Sequence, residues 1–268
     1  MTNPTPSAAR PRSLSSPALV LCELEDPGVA SFESYSPFCL KAHRALRLAG
    51  LSYERRHSSN PATFRAHNPT GQVPVLLVDG RAVADSTSIM ARIECLSGGS
   101  LLGGLDARGQ AEAWLWEELA DTALNGFVVA ARWADERSWP AVKQAYFGAM
   151  PSLVRAIVPG LLRRRVVRGL VARDVWRAGP AACWARFETL LDQLEGRSPA
   201  AGFWLGSSVT LADVALFGQL HALRMPLTPW QRGQIEARRR LSAWLDRVDH
   251  ATSAEARPSG VRPVARAA

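Results

Sequence analysis

The chain has few cysteines, and their spacing excludes several classes of site. Its 268 residues contain only Cys22, Cys39, Cys95 and Cys183, which form no C-x-x-C pair and no Cys/His set. The sequence therefore gives no basis for a structural zinc site or a disulfide framework, and we expect no bound metal. This cysteine usage is typical of a reduced, cytoplasmic protein.

Long apolar runs are also missing. No stretch of about 18 uncharged apolar residues occurs, so a membrane-spanning helix is not expected. The first sixteen residues, MTNPTPSAARPRSLSS, have no apolar core of the kind that a secretory signal requires. We interpret residues 1–16 as a disordered leader and residues 252–268 as a disordered tail.

Lysine is scarce, whereas arginine is abundant. The formal net charge is +8 and the sequence pI is about 10.1, yet Lys41 and Lys143 are the only lysines. A basic chain suits nucleic acid or an anionic membrane surface. An arginine excess also follows from codon usage, and several arginines lie in the two tails. We therefore do not expect nucleic acid as a partner.

The first part of the chain alternates between strand and helix signals. Residues 18–24 and 51–57 have the length and flanks of strands. Between them, a helical pattern begins at Pro37 and ends near Gly50. This order predicts a β-α-β unit with a parallel strand pair.

A hairpin and a second helix follow. Val75–Val78 and residues 82–84 are short apolar runs that flank Asp79-Gly80, a strong hairpin signal because both turn positions tolerate positive φ. Ser86 then caps a helix that runs to Leu96. The order β-α-β, then β-β-α, predicts a small mixed sheet with helices.

The rest of the chain shows helical patterns only. The predicted helices are 107–133, 140–157, 180–195, 210–225 and 234–250. A Gly-rich segment precedes them, so we expect domains at 17–98 and 107–251, joined by a linker at 99–106. Thr210 and Asp213 have the spacing of a capping box, which is a folding device and not a catalytic pair.

The stretch SPFC at residues 36–39 combines a helix start with a candidate chemical group. Pro37 suits the first helical position, and Ser36 suits the N-cap. Ser36 also stands where C-x-x-C proteins carry their reactive cysteine, and a hydroxyl can accept one hydrogen bond while donating another. Cys39 lies about one turn into the helix, and we expect it to be buried and inert. From these residues alone, a plain cap and a catalytic hydroxyl both stay open.

Four longer stretches carry a family resemblance. They are SPFCLKAHRALRLAGLSYE, NPTGQVPVLLVDG, VADSTSI and FWLGSSVTLADVALFGQLHAL. Together they resemble the glutathione S-transferase superfamily, which implies an α/β thioredoxin-like N-terminal domain followed by an all-α C-terminal domain. Within that superfamily, SPFCLK, the basic middle segment and the closing AWLDRVDHAT are most similar to the metaxin and failed-axon-connections branch.

The resemblance implies that glutathione is the co-substrate and that the active site lies between the domains. Ser36 would donate a hydrogen bond to the glutathione sulfur, and the start of the helix would favour the thiolate. Tyr35 and Ser34 are fallback donors, and Cys39 is the alternative reactive group.

The same resemblance implies a set of glutathione-binding residues. A cis bond between Val73 and Pro74 would present the Val73 backbone to the cysteinyl part of glutathione. Ser86 and the amides of the next helix would hold the γ-glutamyl carboxylate, and Asp85 would hold the α-amino group. Gln72 would contact the glycyl end.

We expect a transferase that joins glutathione to a hydrophobic electrophile, which the sequence does not identify. Candidate aromatic residues for its pocket are Trp114, Trp116, Phe127, Trp133 and Trp139, although core packing is the default at this spacing.

The alternative from another class is a non-catalytic adaptor or membrane-associated binding protein of the metaxin kind. Thiol transfer through Cys39 is a third hypothesis. Superfamily members are commonly dimers, so the resemblance also implies a homodimer.

The segment from Arg155 to Arg173 contains six arginines and no acid, interleaved with Ile, Val and Leu. One interpretation is an amphipathic surface that makes weak contact with anionic lipid. The other, which the sequence favours, is a solvated helix whose apolar residues pack on the domain core. Pro159 and Gly160 interrupt the helical pattern and weaken the membrane interpretation.

Overall fold

A computed structural model describes residues 16–30, 32–172 and 175–256, together with the backbone of residues 262–266. A mixed sheet with two helices comes first, and an all-helical domain follows it. The predicted fold class is confirmed, since a thioredoxin-like α/β domain precedes an all-α domain. The expected leader at 1–16 lies, except for its last residue, outside the described residues.

The N-terminal domain is built on a sheet with the strand order β4-β3-β1-β2-β5. Its strands are β1 (Leu19–Leu24), β2 (Glu54–Ser58), β3 (Val75–Val78), β4 (Arg81–Ala84) and β5 (Arg262–Arg266), and its helices are α1 (Pro37–Leu48) and α2 (Ser86–Ser97). β1 pairs with β2 in parallel, as the predicted β-α-β unit requires, and with β3 in antiparallel fashion. Asp79 and Gly80 have φ of 50° and 79°, which closes the predicted hairpin in two residues.

The strand β5 contradicts the prediction of a disordered tail at 252–268 for the residues Arg262–Arg266, whereas residues 257–261 and 267–268 of that tail lie outside the described residues. Among the described residues, the last helix ends at Thr252, and Arg262–Arg266 run parallel to β2 at the edge of the sheet. Local composition could not predict this strand, because its hydrogen-bond partner lies at the other end of the chain.

The C-terminal domain is helical. Its helices are α3 (Ala107–Leu119), α4 (Asn125–Val129), α5 (Trp139–Phe147), α6 (Ser152–Ala172), α7 (Gly179–Arg197), α8 (Leu211–Leu223), α9 (Pro229–Glu236) and α10 (Arg239–Thr252). Two π-helical turns, Ala120–Leu124 and Ala130–Ala134, extend α3 and α4 into one continuous helix. Such turns occur frequently at functional sites, and the first of them contains Asp121.

The path of α5 and α6 differs from the prediction. The sequence predicted one helix at 140–157, with Pro159 and Gly160 interrupting the helical pattern after it. Instead, α5 ends at Phe147, and α6 runs unbroken through Pro159. Proline removes one backbone donor from a helix, but this ring is buried, so its packing offsets the missing hydrogen bond.

The exposure of the apolar residues of α6 contradicts part of the interpretation that the sequence favoured for this segment. They were expected to pack on the domain core, whereas Leu153, Ile157 and Leu161 are exposed. The residues of α6 that are buried include Pro159 and Leu170.

One hydrophobic core spans both domains, because α1 packs directly on α8. α8 is buried along its whole length, which its nearly continuous apolar sequence allows. A Cβ atom on Gly218 would lie 2.9 Å from the carbonyl oxygen of Pro37, so this close approach requires glycine. The contact fixes the first turn of α1 and, with it, the position of Ser36.

The start of α8 confirms the predicted capping box. The Asp213 carboxylate accepts hydrogen bonds from the Thr210 N–H at 2.9 Å, the Trp204 N–H at 2.7 Å and Trp244 Nε1 at 2.9 Å. Burial raises the pKa of Asp213, although these donors favour the ionised form. Asp213 therefore joins three segments of the helical domain and serves folding.

Candidate active site

Ser36 is the N-cap of α1. Its backbone is extended, with φ of −81° and ψ of 124°, and its Oγ accepts a hydrogen bond from the Cys39 N–H at 3.4 Å. Ser34 supports this turn, because its Oγ accepts from the Ser36 N–H at 3.3 Å. The bond from Cys39 uses an oxygen lone pair of Ser36, so the hydroxyl proton can still be donated to a ligand.

The two alternatives to Ser36 lie in less suitable surroundings. Cys39 is fully buried, and burial raises its pKa to about 12, so its thiol is protonated at neutral pH and shielded from substrates. Tyr35 is half-buried, and burial raises its pKa as well. The Tyr35 ring packs edge-on against the ring of Tyr146 in α5, with 5.1 Å between the ring centroids. The backbone carbonyl of Tyr35 accepts a hydrogen bond from Arg132.

The peptide bond between Val73 and Pro74 is cis, as the resemblance implied. Val73 precedes β3, and its N–H and carbonyl have no hydrogen-bond partner within the described residues. Gln72 is exposed, and its carbonyl accepts from Asn68 Nδ2 at 2.9 Å, which holds the loop in place. The backbone of Val73 thus offers one donor and one acceptor to a ligand, as an open strand edge does.

The start of α2 differs slightly from the prediction. Asp85 is the N-cap in place of Ser86, and its Oδ1 accepts a hydrogen bond from the Ser88 N–H at 3.0 Å. Asp85 has φ of 76°. This conformation costs a non-glycine residue about 1–3 kcal/mol, and such residues concentrate at functional sites.

The five residues that the resemblance assigned to glutathione come together in one cavity of about 430 Å³ between the domains. All of them line it: Gln72, Val73, Pro74, Asp85 and Ser86. Phe38, in the first turn of α1, lines it too. Ser36, Tyr35 and Cys39 are not among its lining residues, although Ser36 lies only two residues before Phe38.

The opposite wall of the cavity comes from the helical domain and is acidic. Asp121 lines this wall and accepts a hydrogen bond from the Ser86 Oγ at 2.9 Å, whereas Glu117 is buried behind it and accepts one from the Thr87 Oγ1 at 2.8 Å. Lys41 of α1 is fully buried and forms ion pairs with both carboxylates. Burial raises the pKa of Glu117, although Lys41 opposes this change.

Sequence reasoning missed this acidic wall. The ionisable residues that line the cavity are Asp85, Glu118 and Asp121, so the cavity favours a ligand that presents an ammonium group near α2. A signal existed in the sequence, because Glu117 and Asp121 are four residues apart and share one helical face. The pattern could not show that this face would meet Lys41 on another domain.

The aromatic residues predicted for an apolar pocket do not all lie at the same place in the fold. Trp116 and Phe127 pack on other aromatic rings of the helical core. Trp133 instead contacts Tyr146, which stacks on Tyr35. The aromatic surface next to the start of α1 therefore comes from Tyr35, Tyr146 and Trp133.

A larger cavity, of about 790 Å³, is open at the surface of the helical domain. Its lining includes Asp135, Glu136, Arg164 and Arg168. None of the sequence-predicted site residues borders it. Among the described side chains, no group of three or more His, Cys, Asp or Glu residues is placed to hold a metal ion. In the same part of the chain, no helix has the length and apolar content to cross a membrane.

Two domain families match the sequence. The glutathione S-transferase N-terminal domain matches residues 37–138, and the glutathione S-transferase C-terminal domain matches residues 166–247. The two matches together cover more than half of the chain. Ser36 directly precedes the first of them.

Individual proteins are similar to this chain over part of its sequence or in fold. Glutathione transferase GST 23 of Zea mays is 37% identical over 95 residues, which are 34% of this chain and 43% of that protein. The β-etherase LigF from Sphingobium sp. strain SYK-6 has a TM-score of 0.57 and 22% identity, over 88% of this chain and 96% of the other. A glutathione transferase family member from Pseudomonas fluorescens, solved with two glutathione molecules bound, has a TM-score of 0.53 and 16% identity, over 88% and 90% of the two chains. At these identities, the two solved structures are similar in fold.

Proposed function

This chain belongs to the glutathione S-transferase superfamily, and from that premise we propose that it transfers glutathione to an apolar electrophile. The cavity between the domains carries the proposal. In it, the Val73 backbone, which has no hydrogen-bond partner among the residues described, lies together with Asp85 and Ser86 at the start of α2. These groups match the donors and acceptors along a γ-glutamyl peptide.

Ser36 is the proposed donor to the glutathione sulfur. A free thiol has a pKa near 8.5 and is mostly protonated at neutral pH. A hydrogen bond from the hydroxyl and the positive end of α1 both stabilise the anion and lower that pKa. The thiol proton passes to solvent, and the thiolate attacks the electrophilic carbon. A C–S bond forms, and the leaving group departs with its bonding electrons.

Glutathione would lie with its cysteinyl backbone on Val73. Its γ-glutamyl ammonium group would lie between the carboxylates of Asp85 and Asp121, which gives the acidic wall a role. The γ-glutamyl carboxylate would replace Asp121 as the acceptor for the Ser86 hydroxyl and would also meet the first amides of α2. Gln72, exposed beside Val73, would contact the glycyl end.

The electrophile would bind on the aromatic side of Ser36. Tyr35, Tyr146 and Trp133 supply that surface, which suits an aryl or unsaturated substrate. A homodimer and a cytoplasmic location are also part of the proposal. Equilibrium sedimentation and fractionation of cells that express the chain would test them.

Conjugation of glutathione to chlorodinitrobenzene tests the proposed reaction. We expect the wild-type protein to turn over. Ser36→Ala should lower kcat/KM by about tenfold to hundredfold, because the thiol pKa would return toward its ordinary value. Cys39→Ala is the matched control from the same helical turn, and it should stay within about twofold of wild type because that thiol is buried.

Other outcomes favour the other hypotheses. Activity that depends on Cys39 and not on Ser36 would support thiol transfer. A wild-type protein that neither binds glutathione nor turns over would support a non-catalytic adaptor of the metaxin kind, and the proposed reaction would be wrong.

A further inference from the structure

The helix α6 exposes apolar side chains that the rest of the fold leaves uncovered. Among the described residues, six of the seven strongly exposed large apolar side chains belong to it. Leu153 is 81% exposed, Ile157 62% and Leu161 59%. Monomeric proteins rarely expose a contiguous apolar patch without a function for it.

These side chains form one stripe with two chemically different halves. Residues 153, 157, 161, 164 and 168 are separated by four or three positions, so they share one face of the helix. The first three are apolar, and the last two are Arg164 and Arg168. Arg165 lies beside them. We call this face, from Leu153 to Arg168, the α6 stripe.

Two arginines of the α6 stripe, Arg164 and Arg168, border a cavity that Asp135 and Glu136 also line. Arg164, Arg165 and Arg168 are exposed and form no ion pair within the described residues. The other arginines of α6 differ from them, because Arg155 donates to the Gly148 carbonyl and Arg163 is paired with Glu136. α6 itself contains no acidic residue.

The position of α6 explains why the stripe stays open. α6 packs against the π turn at Ala130–Ala134 and against the short helix α5. Its inward side buries Pro159 and Leu170, and Leu153, Ile157 and Leu161 lie on the outward side. Arg164 and Arg168 continue this face along the edge of the open cavity beside α6. Covering the stripe therefore requires a partner that accepts both apolar side chains and positive charge.

We propose that the α6 stripe docks on an anionic phospholipid surface. Leu153, Ile157 and Leu161 would enter the boundary between headgroups and acyl chains, while the arginines contact lipid phosphates and carboxylates. A second copy of the chain fits this face less well, because α6 itself supplies no acid to pair with the partner's arginines, and buried unpaired charges are costly. A nucleic acid would leave the apolar half in water.

Cosedimentation with vesicles tests this proposal. The wild-type chain should bind vesicles of equal parts phosphatidylcholine and phosphatidylserine, and it should bind pure phosphatidylcholine far less. The variant with Arg164→Gln, Arg165→Gln and Arg168→Gln should bind the mixed vesicles at least about tenfold more weakly, since each arginine contributes to attraction by the surface. The variant with Leu153→Ser, Ile157→Ser and Leu161→Ser should lose about tenfold or more through the apolar contribution.

Matched controls separate the stripe from the general positive charge. Arg81, Arg108 and Arg186 are exposed arginines on other elements, and changing all three to Gln removes the same charge. Leu115→Ser changes an exposed leucine on α3. Both controls should bind mixed vesicles like wild type. Equal loss in the arginine control, or no vesicle binding by wild type, would overturn the proposal. The proposal would also be overturned if the wild-type chain bound no vesicles but self-associated, and if the variant with Leu153→Ser, Ile157→Ser and Leu161→Ser lost that self-association.

Discussion

At the scale of single residues, Glu33 shows how the loop that carries Ser36 is held. Its carboxylate forms ion pairs with Arg44 and Arg47, which are both buried in α1. Burial alone would raise the pKa of Glu33, but the neighbouring positive charges outweigh it and lower the pKa from 4.5 to about 2. The folded state therefore stabilises the ionised form of this carboxylate.

Glu33→Gln should destabilise the protein in a pH-dependent way. Because the folded pKa lies below the unfolded one, the stabilisation is complete above about pH 4.5 and is lost as the pH falls toward about 2. We expect a loss of about 2 kcal/mol in unfolding free energy at neutral pH. Urea unfolding at a series of pH values would show the difference from wild type shrinking through that window. Glu25→Gln, at an exposed position, should change little, and a pH-independent effect at Glu33 would contradict the ion-pair account.

The candidate site residues were predictable to different degrees. Val73 and Asp85 lie in local motifs that resemble known ones, and their place in the cavity agrees with that resemblance. Lys41 and Asp121 have no local signature, because each is defined by a partner in the other domain. A sequence pattern can show that a charge needs a partner, but it cannot show which one.

At the scale of elements, the structure confirms the features that have a local cause. The β3–β4 hairpin follows from Asp79-Gly80, and the start of α8 follows from its capping box. The strand β5 and the unbroken helix α6 were not predicted. In both cases, pairing or packing with distant segments outweighs the local preference of the chain.

Gly218→Ala should disturb the contact between α8 and α1. The added Cβ would lie 2.9 Å from the Pro37 carbonyl oxygen, so α1 must shift. We expect a loss of about 1–3 kcal/mol in unfolding free energy, as in other overpacked cores. Glutathione should also bind more weakly, because Ser36 moves with α1. Urea unfolding and a glutathione titration measure the two effects.

Gly169→Ala is the control for this substitution. Gly169 also lies within a helix, but nothing lies within 4 Å of its added Cβ. Alanine should stabilise that position by about 0.5–1 kcal/mol, since it lowers the entropy of the unfolded chain. Equal effects of the two substitutions would show that α8 and α1 do not touch as described.

At the scale of the whole molecule, the two domains share one core and one buried charge cluster. Lys41 of α1 lies between Glu117 and Asp121 of the helical domain, and the Lys41 Nζ is 2.7 Å from Glu117 Oε1. The fully buried Lys41 and the nearly fully buried Glu117 depend on each other for neutralisation. We therefore expect the two domains to unfold together.

Lys41→Met tests this coupling. Removing the cation leaves two carboxylates without their partner, which should cost about 3–5 kcal/mol of unfolding free energy. The loss should appear as one shifted transition for both domains. Adding Glu117→Gln and Asp121→Asn should recover much of it, because the buried charges are then gone. A shift confined to one of two separate transitions would contradict a shared core.

The central claim is that Ser36 stabilises the glutathione thiolate, and calorimetric titration tests it most directly. Glutathione is titrated into wild type and into Ser36→Ala in two buffers of different ionisation enthalpy, which reports the protons released on binding. We predict that wild type binds with proton release, that Ser36→Ala binds without it, and that S-methylglutathione, which has no thiol proton, binds wild type without it. Equal proton release by both proteins, or no glutathione binding by wild type, would contradict the claim.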